Sequence, residues 1–124
     1  MLSRQSVAVG AATGGEGGIM GSLMDDDTIM VEINRELELF IPMYLENVKA
    51  DCLVVEALLE REDMEEIESL GHRLKGSGGS CGFSVISEAG ETLELAAVAR
   101  DREAVVRACR ALRQHLEQVR VVYV

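Results

Sequence analysis

Apolar residues in this chain return every three or four positions in four successive blocks, and only two or three residues separate one block from the next. Leu45, Val48, Cys52, Val55 and Leu59 form the first stripe, and Ile67, Leu70, Leu74, Gly78 and Cys81 the second. Ile86, Ala89, Leu93 and Ala97 form the third, and Val105, Cys109, Leu112, Leu116 and Val119 the fourth. At 100° per residue, each set falls on one face of an α-helix. Links as short as 61–63, 81–83 and 100–101 force consecutive helices to pack side by side in opposite directions. The expected fold is all-α, an antiparallel up-down-up-down four-helix bundle.

Local start signals agree with that reading. Pro42 suits the first turn of a helix running to about Glu60. Asp63, three residues before Glu66, resembles a capping box, and Ser84 and Asp101 stand where the next two helices should be capped. Asn34 is placed to cap a short extra N-terminal helix ending near Phe40, before Ile41-Pro42 interrupts the path. Val121-Val122-Tyr123-Val124 is β-like but finds no evident partner, so it reads as the frayed end of the last helix.

Residues 1–27 are small, glycine-rich and aperiodic, ending in Asp25-Asp26-Asp27, and read as a flexible tail without assigned function. Residues 28–124 then form one bundle domain. With 124 residues, of which 48% are hydrophobic, the chain can bury one real core but not two. The apolar run after Arg4 is too weak and short for a signal peptide, and no run approaches the roughly 20 residues that cross a bilayer. Twelve basic against twenty-two acidic residues leave a net charge of −10, which repels phosphate backbones and anionic lipid alike. Neither nucleic acid nor a membrane is an expected partner. Cys52, Cys81 and Cys109 are odd in number, widely spaced and set in apolar patterns, which suits reduced core thiols in the cytoplasm.

The second helix is unusual in carrying Gly71, Gly76, Gly78 and Gly79 around His72. Each glycine in a helix interior costs roughly 1 kcal/mol against alanine, a cost that makes sense where something must approach closely. His72, Lys75, Gly76 and Gly79 share one helix face, whereas Leu74 lies 200° from His72 and points into the core. A solvent-facing imidazole offers a lone pair that can attack phosphorus, Nε2 being the less hindered nitrogen. Lys75, one turn on, puts an ammonium where negative charge would develop during phosphoryl transfer. Gly76 and Gly79 leave room for the donor, while Gly71 and Gly78 lie nearer the core side and suit close helix packing.

The run His72-x-Leu74-Lys75-Gly76-Ser77-x-x-x-x-Gly82 resembles the signature of histidine-containing phosphotransfer (HPt) domains, the relay proteins of bacterial multistep two-component signalling. The likeness extends over about residues 34–121 in helix number, hairpin lengths and the motif's place on the third helix, counting the short N-terminal one as the first. It implies that His72 takes a phosphoryl group from a receiver-domain aspartate and hands it to another receiver. It implies also that Lys75 stabilises that group, that Gly76 permits contact and that Gly82 ends the helix. Ser80 stands where many members carry Asn. The implied partners are receiver domains of response regulators and hybrid histidine kinases, with Mg²⁺ belonging to the receiver and no cofactor here. A monomer is expected, as is a carrier without autokinase activity, since the chain has no recognisable nucleotide site.

Other readings stand beside this one. The bundle could be an interaction module that binds a kinase or receiver without transfer. Glu68 and Ser69, four and three residues before His72, could orient its Nδ1, or could be ordinary solvated side chains. Met43, Tyr44 and Phe83 could contact a partner or belong to the core. His115 reads as a partly exposed helix residue, and no ligand spacing supports a metal site.

Overall fold

The computed structural model describes residues 28–124, so the tail expected over 1–27 lies outside the described residues. Four helices carry the four apolar stripes: α1 (Ile41–Glu60), α2 (Met64–Cys81), α3 (Ser84–Val98) and α4 (Arg102–Gln118). Pro42 occupies the first turn of α1. The Asp63 carboxylate accepts from the Glu66 N–H at 3.2 Å, and the Asp101 carboxylate from the Ala104 N–H at 3.1 Å, so both caps form as expected. Ser84 does not cap α3; Phe83 takes that position, with its ring fully buried. Here the chain arrives from Gly82, whose φ of 95° is one a side chain would resist, and both the Gly82 and Phe83 N–H groups turn back to the Gly78 carbonyl.

The stripes meet in one core that includes Val48, Val55, Ile67, Leu74, Ile86, Leu93, Val105 and Leu112. Arg102 at the start of α4 donates to the Leu59 carbonyl near the end of α1, and seven residues inward on each helix the Cys109 thiol donates to the Cys52 carbonyl. That register makes α1 and α4 antiparallel. The α2–α3 hairpin is the closest pair. A Cβ on Gly71 would stand 2.7 Å from the Gly90 carbonyl oxygen, and one on Gly78 would stand 2.6 Å from the Ser87 nitrogen. The packing role expected of Gly71 and Gly78 is therefore met, with Gly90 as the unexpected counterpart.

Three further expectations need correction. The short N-terminal helix is a single 3-10 turn, Arg35–Leu37, capped by Asn34 through the Glu36 N–H at 2.8 Å. The terminal valines are no frayed helix: Val119 turns extended, and β2 (Val119–Tyr123) pairs in parallel with β1 (Ile29–Ile33), Ile29 opposite Val119 and Ile33 opposite Tyr123. Val31 and Ile33 bury completely against the bundle end, which supplies the driving force for this two-stranded ribbon. His115, expected to be partly exposed, is only 4% exposed, because it lies three residues past Leu112 on the buried side of α4. Burial pushes its imidazole pKa below the ordinary value, and its Nε2 has no hydrogen-bond partner.

Candidate functional site

Mid-way along α2 the buried side ends and the His72 face begins. Gly71 is pressed against α3, Leu74 is in the core, and the His72 side chain between them is 72% exposed. Lys75 projects one turn on, about half exposed. A Cβ added to Gly76 would find no heavy atom within 4 Å, and one on Gly79 would meet only the Ser87 hydroxyl at 3.7 Å. The backbone beside His72 is thus open on the side where a visiting molecule would come.

Two acidic residues of α3 complete the arrangement. Glu94 Oε2 lies 3.3 Å from His72 Nδ1, and the Glu94 side chain is itself mostly buried. Glu91 Oε2 lies 3.9 Å from the Lys75 ammonium in a solvent-exposed pair, an interaction of small energetic weight. A carboxylate at Nδ1 favours the tautomer with the proton on that nitrogen, which leaves the Nε2 lone pair free and directed away from the helix. The α2 carboxylate and hydroxyl considered for this task, Glu68 and Ser69, sit part-buried and exposed respectively. Sequence reasoning missed Glu94 and Glu91 because they belong to another helix. Gly71 and Gly90 were the available signal: once those two glycines are set against each other, Glu94, four residues after Gly90, comes level with His72.

Behind the site, Ser77 hydrogen-bonds the Tyr44 hydroxyl at 2.8 Å, and Tyr44 stacks between Phe40 and Phe83 with ring centroids 5.8 and 5.9 Å away. Burial raises the Tyr44 pKa, keeping the phenol neutral. Tyr44 and Phe83 therefore belong to the core and anchor α1 to the last turns of α2. Met43 alone of the three apolar candidates is exposed. The Ser87 hydroxyl donates to the Lys75 carbonyl at 2.9 Å, a second tie holding the His72 turn to α3.

A family model described as "Hpt domain" matches residues 40–121, two thirds of the chain, taking in all four helices and every residue of this cluster. The chain belongs to the Hpt domain family. No curated protein and no solved structure matches it. Hpt domains are histidine phosphotransfer carriers of phosphorelays, and they interact with receiver domains. In this Hpt domain the histidine within the matched region that faces solvent is His72, since His115 is buried in the core. The ribbon strand β1 lies before the matched region. Among the described residues no group of three or more His, Cys, Asp or Glu converges as a metal ligand set, and no helix is long and apolar enough to cross a membrane.

Proposed function

We propose that this protein is a phosphorelay carrier in which His72 accepts a phosphoryl group from a receiver aspartyl phosphate and passes it to a second receiver. The observation that carries the reading is the exposed imidazole with Glu94 at Nδ1 and bare backbone at Gly76 beside it. Nε2 attacks phosphorus in line with the bond to the aspartate carboxyl oxygen; the P–N bond forms as that P–O bond breaks, and the aspartate leaves as a carboxylate. As His72 acquires positive charge in the transfer, the Glu94 carboxylate stabilises it through the Nδ1 proton. The Lys75 ammonium offsets the charge on the phosphoryl oxygens, for which it must swing from Glu91, a weak exposed partner. Gly76 and Gly79 admit the receiver surface.

In this scheme Mg²⁺ belongs to the receiver's acidic site, and the carrier contributes nucleophile, orienting carboxylate and lysine. The domain acts as a cytoplasmic monomer without autokinase activity, and its charge of −10 turns it away from nucleic acid and anionic membranes. Incubation with a phosphorylated receiver and Mg²⁺ tests the proposal. The wild-type chain should gain an acid-labile, alkali-stable phosphate, and His72→Gln should gain none while melting within a few degrees of wild type, because the side chain faces solvent. Label retained in His72→Gln would overturn the assignment. Binding of the phosphorylated receiver without any transfer would establish the interaction module instead.

A further inference from the structure

The seam between α1 and α4, on residues the phosphotransfer site does not use, brings two cysteines together. Cys52 lies seven residues before Leu59, and Cys109 seven after Arg102, the pair that fixes the antiparallel register, so the two stand opposite each other. The Cys109 Sγ lies 3.5 Å from the Cys52 carbonyl oxygen, and both residues are buried free thiols. Burial alone would make them inert. One side of the seam is open, however: a cavity of about 440 Å³ is lined by Cys109 together with Val55, Glu56, Val105, Arg110 and Arg113. A small, uncharged oxidant can enter it, past the Arg113–Glu56 ion pair whose opposite charges offset each other at the cavity wall.

We propose that Cys52 and Cys109 form a reversible disulfide that staples α1 to α4 when the protein meets a peroxide. Cys109 lines the cavity and Cys52 does not, which makes Cys109 the attacking sulfur and Cys52 the resolving one. Its thiolate attacks one oxygen of hydrogen peroxide: the S–O bond forms, the O–O bond breaks, and the departing hydroxide takes a proton to become water. The sulfur of Cys52 then attacks Cys109, forming the S–S bond and expelling hydroxide, which leaves as a second water with the Cys52 proton. Two thiols are oxidised by two electrons and one peroxide is reduced to two waters. Cys81, on α2 and half-buried, has neither opposed thiol nor place in this cavity.

The test is hydrogen peroxide added to the full chain, followed by thiol titration after denaturation and by peptide mapping under non-reducing conditions. The titratable thiols should fall from three to one, the intact mass should drop by two hydrogens, and one linked peptide pair should contain Cys52 and Cys109. The oxidised chain should melt higher than the reduced one, because the staple closes a long loop in the unfolded chain, and dithiothreitol should reverse the shift. Cys81→Ser should behave as wild type, which keeps the test informative even where Cys109→Ser folds poorly. A bridge involving Cys81, a bridge between two chains, or Cys109 carried on to sulfinic acid with Cys52 still free would each overturn the proposal.

Discussion

The two glycines Gly76 and Gly90 make the same substitution, glycine to alanine within a helix, a test with opposite expected signs. On helical preference alone each replacement should stabilise by up to about 1 kcal/mol. At Gly76 nothing opposes that gain, because the new methyl group finds open space. At Gly90 the new Cβ would stand 2.4 Å from the Lys75 nitrogen, 2.6 Å from the Gly71 oxygen and 2.9 Å from the Leu74 carbonyl carbon, all main-chain atoms of α2. Ordinary contact begins at 3.4 Å, so α2 and α3 must part by about 1 Å. A gap of that size forfeits a quarter to a half of the dispersion energy of every atom pair along the seam, and overpacking of this kind costs about 1 to 3 kcal/mol or more. With no flexible side chain to yield, the upper end applies, leaving a net loss of about 2 kcal/mol.

For a domain of this size 1 kcal/mol moves the melting temperature by about 4 to 8 °C. Thermal unfolding followed by circular dichroism should therefore place Gly90→Ala at least about 8 °C below wild type and Gly76→Ala about 2 to 8 °C above it. The functional readout should divide the other way for Gly76→Ala, which gains stability yet slows phosphoryl acceptance because a methyl group now stands where the receiver approaches. Gly90→Ala melting at or above wild type, or Gly76→Ala melting below it, would refute the steric reasoning.

Two more outcomes are expected. Glu94→Gln should slow phosphoryl acceptance by His72 about threefold to tenfold, the scale of one charge-assisted hydrogen bond weakened by solvent, while Glu68→Ala leaves the rate near wild type; the reverse ranking in a time course with phosphorylated receiver would remove Glu94 from its orienting role. His115 is buried with a lowered pKa, so the unfolded chain binds its proton more readily than the folded one, and stability present above the ordinary imidazole value of about 6.5 falls as pH drops below it towards the folded value. Urea melts between about pH 7 and 5.5 should show that slope in wild type and a flatter one in His115→Leu, and equal slopes would place the proton elsewhere.

What could be read from the sequence divides by distance along the chain. The helices, the Asp63 and Asp101 caps and the shared face of His72 and Lys75 are set by neighbours three or four residues apart, and all were legible. Gly76 as open backbone and Gly71 and Gly78 as packing positions follow from the same angular arithmetic. Glu94 was not legible, since its place at Nδ1 depends on how α2 slides along α3, and that register is fixed by Gly71 meeting Gly90 across the hairpin. His115 misled by its polarity: its spacing from Leu112 and Val119 is that of a core position, and only the packed bundle shows that the pattern prevails over the residue type. The ribbon was hidden twice over. Val119 continues the apolar rhythm of α4 and suits a helix as well as a strand, and its partner Ile29–Ile33 lies at the other end of the domain, beyond any local signal.

That ribbon has a mechanical consequence. In a parallel pair the leading end of β1 and the trailing end of β2 lie at opposite ends of the ladder, so tension drawn between Ile29 and Tyr123 slides one strand lengthwise past the other. All the cross-strand bonds then share the load and must rupture together, whereas an antiparallel hairpin pulled from its two open ends would unzip one rung at a time. A short clasp of five paired residues thereby shields the helices from pulling forces until it fails as a unit.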